Sequence, residues 1–212
     1  MSWKEYKEKY EKYKIKYINL QEKIGGVYTN IFLNDLKCQS GGILIVDYID
    51  GEQVIILGRS NIPKRTNMYE SFGGKTEKSD LTSLHTALRE LVEEFFNVYI
   101  GVDDLNNLAY EFRLNNFIKD QYMMSGMAYL IDFSGLNFIF QNLCKFNKNF
   151  VEYNSQDGFD YIKYIDSRKV TSAPDHGLNE IEFLKLFKMS DVKAGKINLR
   201  WFTNKIINIM IP

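Results

Sequence analysis

The first apolar segments of the chain have the spacing of β-strands. Residues 42–49 (GILIVDYI) and 53–58 (QVIILG) are short runs rich in Ile and Val, separated by an Asp-Gly-Glu sequence. β-Branched residues favour strands, and Asp-Gly between two apolar runs favours a hairpin turn. The pattern therefore predicts two antiparallel strands, followed by a loop over residues 59–69 that contains Pro63.

The apolar period then changes from strand-like to helix-like. After the pair Gly73-Gly74 and a short polar loop, apolar residues recur at intervals of three and four, which places them on one face of a helix. This spacing predicts a helix over about residues 81–95. Its buried stripe consists of Leu84, Ala87, Leu88, Leu91, Val92 and Phe95.

The second half of the chain has weaker patterns. Residues 137–146 fit a helix or a strand, and the polar, aromatic segment 150–170 is interpreted as an insertion. The other predicted elements are strands over 107–114, 122–133 and 180–187, a turn over 189–192 and a last helix over about 196–208.

The N-terminal segment has the composition of an added helix. Residues 2–23 contain many Lys and Glu and neither Gly nor Pro, and Gly25-Gly26 would end the helix. Four tyrosines form one stripe, which would pack on the domain, offer a surface to a partner or substrate, or form a homodimer contact. They are Tyr6, Tyr10, Tyr13 and Tyr17.

The strongest chemical signal lies on the predicted helix 81–95. Glu90, Glu93 and Glu94 are three and four positions apart and so share one face, where like charges destabilise a helix. Mg²⁺ or Mn²⁺ would offset this repulsion, because these ions prefer carboxylate oxygens. The alternative is a solvated acidic face, but the adjoining Arg89 and the upstream glycines favour a metal site.

At this point the chain resembles the Nudix hydrolases. Their box runs G, five residues, E, seven residues and then REUxEExGU, where U is aliphatic. Residues 89–94 (RELVEE) match REUxEE at every fixed position. Gly73, Gly74, Lys75 and Glu77 resemble the GGKxE opening of the box.

The box also departs from the family pattern. Asp80 stands where the first Glu is expected, and eight residues instead of seven separate it from Arg89. Phe96 replaces the final Gly, so we expect Asn97 to supply the left-handed residue at the helix end. Phe72 stands where a proline often precedes the glycines.

The resemblance implies an α/β fold, a Nudix-like α/β/α sandwich with a mixed sheet, to which the N-terminal helix is added. The expected domains are an N-terminal helical extension over residues 1–26 and a Nudix hydrolase domain over 27–212. The implied reaction is metal-dependent cleavage of a pyrophosphate bond in a nucleoside diphosphate linked to another moiety.

The resemblance also implies roles for the box residues. Glu90, Glu93 and Glu94 would bind Mg²⁺ or Mn²⁺ and act in catalysis, with the carbonyl of Gly73 as a further metal ligand. A bound ion neutralises charge on phosphate oxygens and lowers the pKa of a bound water. The general base would be a box glutamate or an acid from a late loop, for which Glu180 and Glu182 are candidates.

Supporting roles fall to residues around the box. Lys75 is expected to contact phosphate, the alternative being a solvated loop lysine, and Arg59 is a second candidate for phosphate binding. Arg89 is expected to be structural and to tie its helix to Glu77 or Asp80. Of the two histidines, His85 is interpreted as a packing or surface residue and His176 as a weaker substrate-contact candidate.

Charge, apolar runs and cysteine content indicate where the protein is located and whether it has a membrane partner. The formal net charge is 0, and no apolar run is long enough to span a bilayer. The N-terminus lacks the apolar core of a signal peptide, and Cys38 and Cys144 form no metal or disulfide pattern. We therefore expect a cytoplasmic protein without a membrane partner, in the host cytoplasm if the source is a virus.

The identity of the substrate is left open by the sequence. The divergent box resembles decapping Nudix enzymes of large DNA viruses, and a basic, aromatic group near the C-terminus suits RNA, so capped RNA is one candidate. Free nucleotides, dinucleoside polyphosphates and inositol pyrophosphates are the alternative, and a non-catalytic ligand-binding module is a third hypothesis. The C-terminal group consists of Lys196, Arg200, Trp201, Phe202 and Lys205. The alternative interpretation is a last helix with Trp201 and Phe202 in the core and the cations solvated.

Overall fold

The computed structural model describes residues 38–123, 126–175 and 178–211, apart from the side chains of residues 120–123. These residues lie in one compact unit that spans Lys37–Pro212. The predicted helix over 2–23 lies outside the described residues, and so does His176. The helix, its dimer contact and the boundary between 1–26 and 27–212 therefore stay predictions.

The centre of the fold is a mixed β-sheet. The strands, in chain order, are β1 (Ser40–Ile49), β2 (Glu52–Ser60), β3 (Tyr69–Glu70), β4 (Phe72–Lys75), β5 (Ile118–Met123), β6 (Gly126–Ile131), β7 (Asn154–Ser155), β8 (Gly158–Phe159) and β9 (Ile181–Lys188). Among the described residues, seven strands form this sheet in the order β3-β2-β1-β6-β5, with β4 added to β1 and β9 to β2. Strands β1 and β6 are parallel and the other neighbours are antiparallel.

Helices cover both faces of the sheet. They are α1 (Ser83–Phe96), α2 (Val102–Leu114), α3 (Phe133–Phe146), α4 (Tyr161–Ser167), α5 (Met189–Lys193) and α6 (Trp201–Met210), with 3₁₀ turns at Pro63–Arg65 and Lys148–Tyr153. Gly41 faces α1, because a Cβ there would overlap the backbone of Ser83. Leu44 points to the opposite face and packs with Ile206 and Ile207 of α6. The predicted α/β/α sandwich with a mixed sheet is confirmed.

The elements with strong local signals form as predicted. Asp50 and Gly51 have φ angles of 51° and 79°, as a tight hairpin turn between β1 and β2 requires. Helix α1 is capped by Thr82, whose side chain accepts from the backbone N–H of His85. The helix ends at Asn97, which has φ 56° and ψ 42°, so the predicted left-handed residue is confirmed.

One predicted strand is wrong. Residues 107–114 belong to helix α2, which buries Leu105, Leu108, Ala109 and Phe112. These residues recur at three, one and three positions, the spacing of a helical face. Two acids in the first turn, Asp103 and Asp104, also suit a helix N-terminus.

Four further predictions change in detail. The single strand predicted over 122–133 is a hairpin of β5 and β6. The ambiguous segment 137–146 lies in helix α3, and the last helix begins at Trp201 rather than near 196. The insertion 150–170 folds into β7, β8 and α4, whose aromatic residues pack against the end of α1.

Candidate active site

The glycine pair places strand β4 directly against β1 and α1. A Cβ on Gly73 would lie 2.5 Å from the Cα of Gly42, its partner in β1. A Cβ on Gly74 would lie 2.5 Å from Cδ of Glu90. Only residues without a side chain allow this approach, which lets the Glu90 carboxylate lie against the backbone of β4.

Asp80 is the buried anchor of the loop before α1. Its side chain is fully buried and accepts hydrogen bonds from Arg89 Nε and Nη2, both at 3.2 Å. Its Oδ2 also accepts from the Thr86 hydroxyl at 3.0 Å and from the backbone N–H of Glu77 at 2.9 Å. The loop therefore closes onto Arg89 through a paired carboxylate, even though it is one residue longer than the family pattern.

Arg89 also contacts the box glutamates. Its Nη1 donates to Glu93 Oε2 at 2.9 Å, and its Nη2 lies 2.9 Å from Glu90 Oε1. Nη2 donates to the carbonyl of Lys75 at 3.0 Å, whereas Glu77 is more distant at 3.8 Å. Arg89 therefore joins the loop, β4 and the acidic face of α1.

Glu94 lies in a different environment. Its side chain is buried, and Oε2 accepts the backbone N–H of Gly73 at 2.7 Å. Burial raises the pKa of Glu94 well above its ordinary value, and the nearby charges of Glu90, Glu70 and Glu180 raise it further. A carboxylate in this position favours either a proton or a cation.

The pKa values of the other two box glutamates, Glu90 and Glu93, are also raised. Burial raises the pKa of Glu90 to about 7 although Arg89 opposes the shift. Burial also raises the pKa of Glu93, again against the attraction of Arg89. The charges of Glu93 and Glu180 act on Glu90, and those of Glu77 and Asp80 act on Glu93. Glu90 and Glu93 both contact Arg89, whereas Glu94 accepts from the backbone N–H of Gly73.

The two candidate bases outside the box, Glu180 and Glu182, have different partners. Glu180 precedes β9, and its carbonyl accepts from the backbone N–H of Asn61 at 2.7 Å. Its charge acts on both Glu90 and Glu94. Glu182 instead pairs with Arg59 at 3.4 Å, so of the two candidate bases Glu180 is the one whose charge acts on the box glutamates.

The predicted phosphate contacts lie at the edges of this cluster. Lys75 is exposed at the end of β4. Arg59 lies with its guanidinium 5.2 Å from the ring centroid of Phe183 and in contact with Glu182. Arg59 also lines a groove of about 670 Å³, bounded by β9 and α4. Neither this groove nor a second cavity of about 310 Å³ behind Phe96 is lined by a box glutamate.

Sequence reasoning missed Arg168, which lies behind α1. Its side chain is buried, Nη2 donates to the backbone carbonyl of Glu94 at 2.6 Å, and Nη1 donates to that of Ile181 at 2.9 Å. Nearby, the Tyr164 hydroxyl donates to the carbonyl of Phe95 at 3.0 Å. No motif surrounds Arg168 in the sequence, because its partners are backbone groups of distant residues.

A second link connects the end of α1 to the Glu180 loop. Asn97 Nδ2 donates to Asn179 Oδ1 at 3.1 Å, and the backbone N–H of Asn179 donates to Asn97 Oδ1 at 2.9 Å. Phe96, which replaces the family glycine, is buried against Phe159 and Tyr164. The departure from the box therefore serves the packing of the insertion.

His85 is buried, with Nδ1 at 2.7 Å from the Thr82 hydroxyl, so it packs within the helix start. Cys38 and Cys144 are free. Within the described residues, His, Cys, Asp and Glu form no group of three or more that could hold a metal ion as placed. In the same residues no helix has both the length and the apolarity to cross a membrane.

No protein-family model matches the sequence, and neither does any curated protein. Among solved structures, the chain is similar to the NUDIX domain of Shewanella oneidensis NrtR complexed with ADP ribose, at 12% identity and a TM-score of 0.40, over 88% of this chain and 93% of that one. A C. elegans Ap4A hydrolase complex has 12% identity and a TM-score of 0.40, over 81% and 93%. A NUDIX hydrolase from Alicyclobacillus acidocaldarius has 8% identity and a TM-score of 0.38, over 82% and 91%.

Two of these three structures are named as a NUDIX domain or a NUDIX hydrolase, the family that the box resembles. Their identities and TM-scores are too low to assign a reaction or a substrate to this chain. The fold of this chain, a mixed sheet between helices with a Gly-Gly strand against the REUxEE helix, is the one that the resemblance of the box implied.

Proposed function

We propose that this chain is a metal-dependent Nudix hydrolase that cleaves the pyrophosphate bond of a nucleoside diphosphate linked to another moiety. The buried acidic cluster carries this proposal. Glu94 is only 4% exposed, yet it lies beside the charges of Glu90, Glu70 and Glu180. Buried charges of one sign are unfavourable without compensation, and their oxygens are the donors that Mg²⁺ and Mn²⁺ prefer.

The donor set fits a divalent ion in its chemistry. Glu90 and Glu94 would hold the ion, with Glu93 and the carbonyl of Gly73 as further donors. When bound, the ion would neutralise charge on the phosphate oxygens and lower the pKa of a bound water. Glu180 would accept the proton of the attacking water, because its charge acts on both Glu90 and Glu94.

The remaining residues would position the substrate and the helix. Lys75 is exposed one residue beyond Gly74 and would contact phosphate, while Arg59 would contact the substrate from its groove. Arg89 would keep the acidic face of α1 in place through Asp80 and Lys75. Because phosphoryl transfer depends mainly on positioning and electrostatics, this set requires no Ser, Cys or His nucleophile.

Capped RNA is one candidate substrate within this class. The exposed Trp201 and its neighbouring cations favour it, because aromatic and basic side chains recognise single-stranded RNA. The other candidates are free nucleotides, dinucleoside polyphosphates and inositol pyrophosphates.

The test is a substrate panel with Mg²⁺ or Mn²⁺. It contains capped RNA, nucleoside triphosphates, NADH, ADP-ribose, diadenosine polyphosphates and an inositol pyrophosphate, and products are separated by chromatography. Release of a methylated guanosine diphosphate would identify decapping. Absence of metal-dependent turnover with every compound would contradict the hydrolase and favour a ligand-binding module.

A further inference from the structure

Trp201, the first residue of α6, has an exposed indole next to a cation. Its side chain is 70% exposed, and Lys205 Nζ lies 5.2 Å from the ring centroid. A single exposed aromatic residue is ordinary on a protein surface, so its neighbours decide whether it has a role. Cation–π contacts of this kind hold a basic group over the ring.

Arg200, the residue before Trp201, shares a buried carboxylate with a second arginine, Arg65. Arg200 Nη1 lies 2.7 Å and Arg65 Nη1 3.2 Å from the same oxygen, Oε2 of Glu70. The Glu70 side chain is 2% exposed, whereas those of Arg200 and Arg65 are 34% and 32% exposed. Two guanidiniums on one carboxylate leave an excess positive charge, and each keeps N–H donors beyond those that Glu70 uses.

This surface adjoins the acidic cluster. The backbone N–H of Ser71 donates to the Thr203 hydroxyl at 2.9 Å, and that of Arg200 donates to the carbonyl of Tyr69 at 2.9 Å. The start of α6 is thereby fastened to the strand segment that continues into Gly73. Glu70, which both arginines contact, lies in this segment three residues before Gly73, and its charge acts on Glu94.

The structure also separates the residues of the basic, aromatic C-terminal group. Lys196 pairs with Asp191 at 2.6 Å, and Phe202 packs against the core. Trp201 remains on the surface, contrary to the alternative that placed it in the core. Arg65, from the 3₁₀ turn before β3, reaches the same Glu70 carboxylate as Arg200.

We propose that Trp201, Arg65, Arg200 and Lys205, here called the Trp201 surface, bind the nucleotide part of the substrate. The nucleobase would stack on the indole, and an adjacent phosphate would take the free N–H groups of the arginines. This inference rests on the proposed function and specifies a nucleobase with its phosphate as the recognised group. That group can come from a free nucleotide or from an RNA strand.

Tryptophan fluorescence tests the stacking without any turnover. The chain has two tryptophans, so Trp3→Phe leaves Trp201 as the sole reporter in the full-length protein. Titration with ADP, GDP, a five-nucleotide RNA or inorganic pyrophosphate is carried out without divalent metal. We expect saturable quenching by the nucleotides and the RNA, weakened by Arg65→Gln, which leaves Arg200 on Glu70. Tighter binding of the RNA would identify a strand as the source, and equal binding a free nucleotide.

Two results would overturn the Trp201 surface: no quenching beyond that of free N-acetyltryptophanamide, or equal quenching by pyrophosphate. Because these measurements need no reaction, they are independent of whether the substrate panel shows turnover.

Kinetics on a substrate from the panel provide the second measurement. Trp201→Ala should raise KM by about 5- to 150-fold, the range expected from base–aromatic stacking, with little change in kcat. Trp201→Phe should restore most of the affinity. Tyr48→Ala, at another exposed aromatic residue on β1, is the matched control and should leave KM unchanged. An unchanged KM in Trp201→Ala would also overturn the proposal.

Discussion

Two buried arginines hold the box helix in different ways. Arg89 belongs to α1 and contacts carboxylates on the side of the helix here called the front, with Asp80, Glu90 and Glu93 all within 3.2 Å. Arg168 lies behind the same helix and donates to the backbone carbonyls of Glu94 and Ile181. One arginine is compensated by charge and the other by dipoles.

This difference has consequences for the charge of each group. Burial acts to lower the pKa of Arg89, but its bond to Asp80 and the nearby charges of Glu90 and Glu93 outweigh burial and raise that pKa. Burial lowers the pKa of Arg168, and Tyr164 and Glu94 oppose it only in part. The front of the helix is thus held by ion pairs, which suits a charged site, and the back by hydrogen bonds to main-chain groups.

The largest expected effect is on activity. Glu94→Gln should lower turnover by more than about 100-fold, above the ~10- to 100-fold typical of residues that only support a metal ligand. Stability should be retained, because the amide oxygen can still accept from Gly73 N–H and position 94 no longer carries a buried charge. Steady-state kinetics and thermal unfolding measure both. A Glu94→Gln protein with normal turnover would contradict the proposed metal site.

The next effect concerns the front arginine. Arg89→Met should lower the free energy of unfolding by about 3–5 kcal/mol, because it removes the arginine that compensates the charge of the buried Asp80 carboxylate. Urea unfolding measures this change. Adding Asp80→Asn to the variant should recover part of the loss, since the buried charge is then removed. If the double variant were no more stable, charge compensation would not explain the role of Arg89.

The back arginine should matter less for stability. Arg168→Met leaves neutral carbonyls without donors, which costs about 1–3 kcal/mol. It should also lower kcat more than it changes KM, because it frees both Glu94 and the strand that follows Glu180. Tyr164→Phe, which removes one bond to Phe95, is the matched control and should leave kcat unchanged. A loss in Arg168→Met equal to that of Arg89→Met would erase the contrast between the two sides.

The pH dependence of stability tests the acidic cluster. Glu90 has a pKa raised to about 7 from an ordinary 4.5, so the metal-free folded protein holds a proton that the unfolded chain releases. Its contribution to stability is therefore full below about pH 4.5 and is lost as the pH rises towards 7. Comparing the thermal unfolding of wild type and Glu90→Gln across this pH window isolates the contribution of Glu90 to stability. Mn²⁺ should reverse the trend, because metal binding displaces the proton.

The smallest expected effect is at the end of α1. Asn97→Gly keeps the left-handed backbone at no steric cost and loses only the bonds to Asn179. Asn97→Ala loses those bonds and adds about 1–2 kcal/mol of backbone strain. Chemical denaturation should show that the Asn97→Gly variant is more stable than the Asn97→Ala variant. Equal stability of the two variants would show that the backbone conformation contributes little.

Local spacing in the sequence is sufficient for the hairpin, the box helix and its cap. Each depends on residues within a few positions of one another, such as the apolar stripe of α1 and the Asp-Gly turn at 50–51. The same local reading was wrong at 107–114, where the apolar residues of Leu105–Phe112 suit a helix once its N-terminal acids are included. Short apolar runs carry both periods, and burial against the sheet decides between them.

The chain's order of residues thus specifies the box and its carboxylates, which follow from spacing along a single element or its neighbours, and the resemblance of the box implied the α/β/α sandwich. The tertiary structure decides which glutamates the charge of Glu180 acts on, which arginine supports the back of α1 and which aromatic residue stays on the surface. Arg168 and Glu94 are 74 positions apart. Their contact arises only when the insertion packs on the helix, and no spacing rule along the chain encodes that geometry.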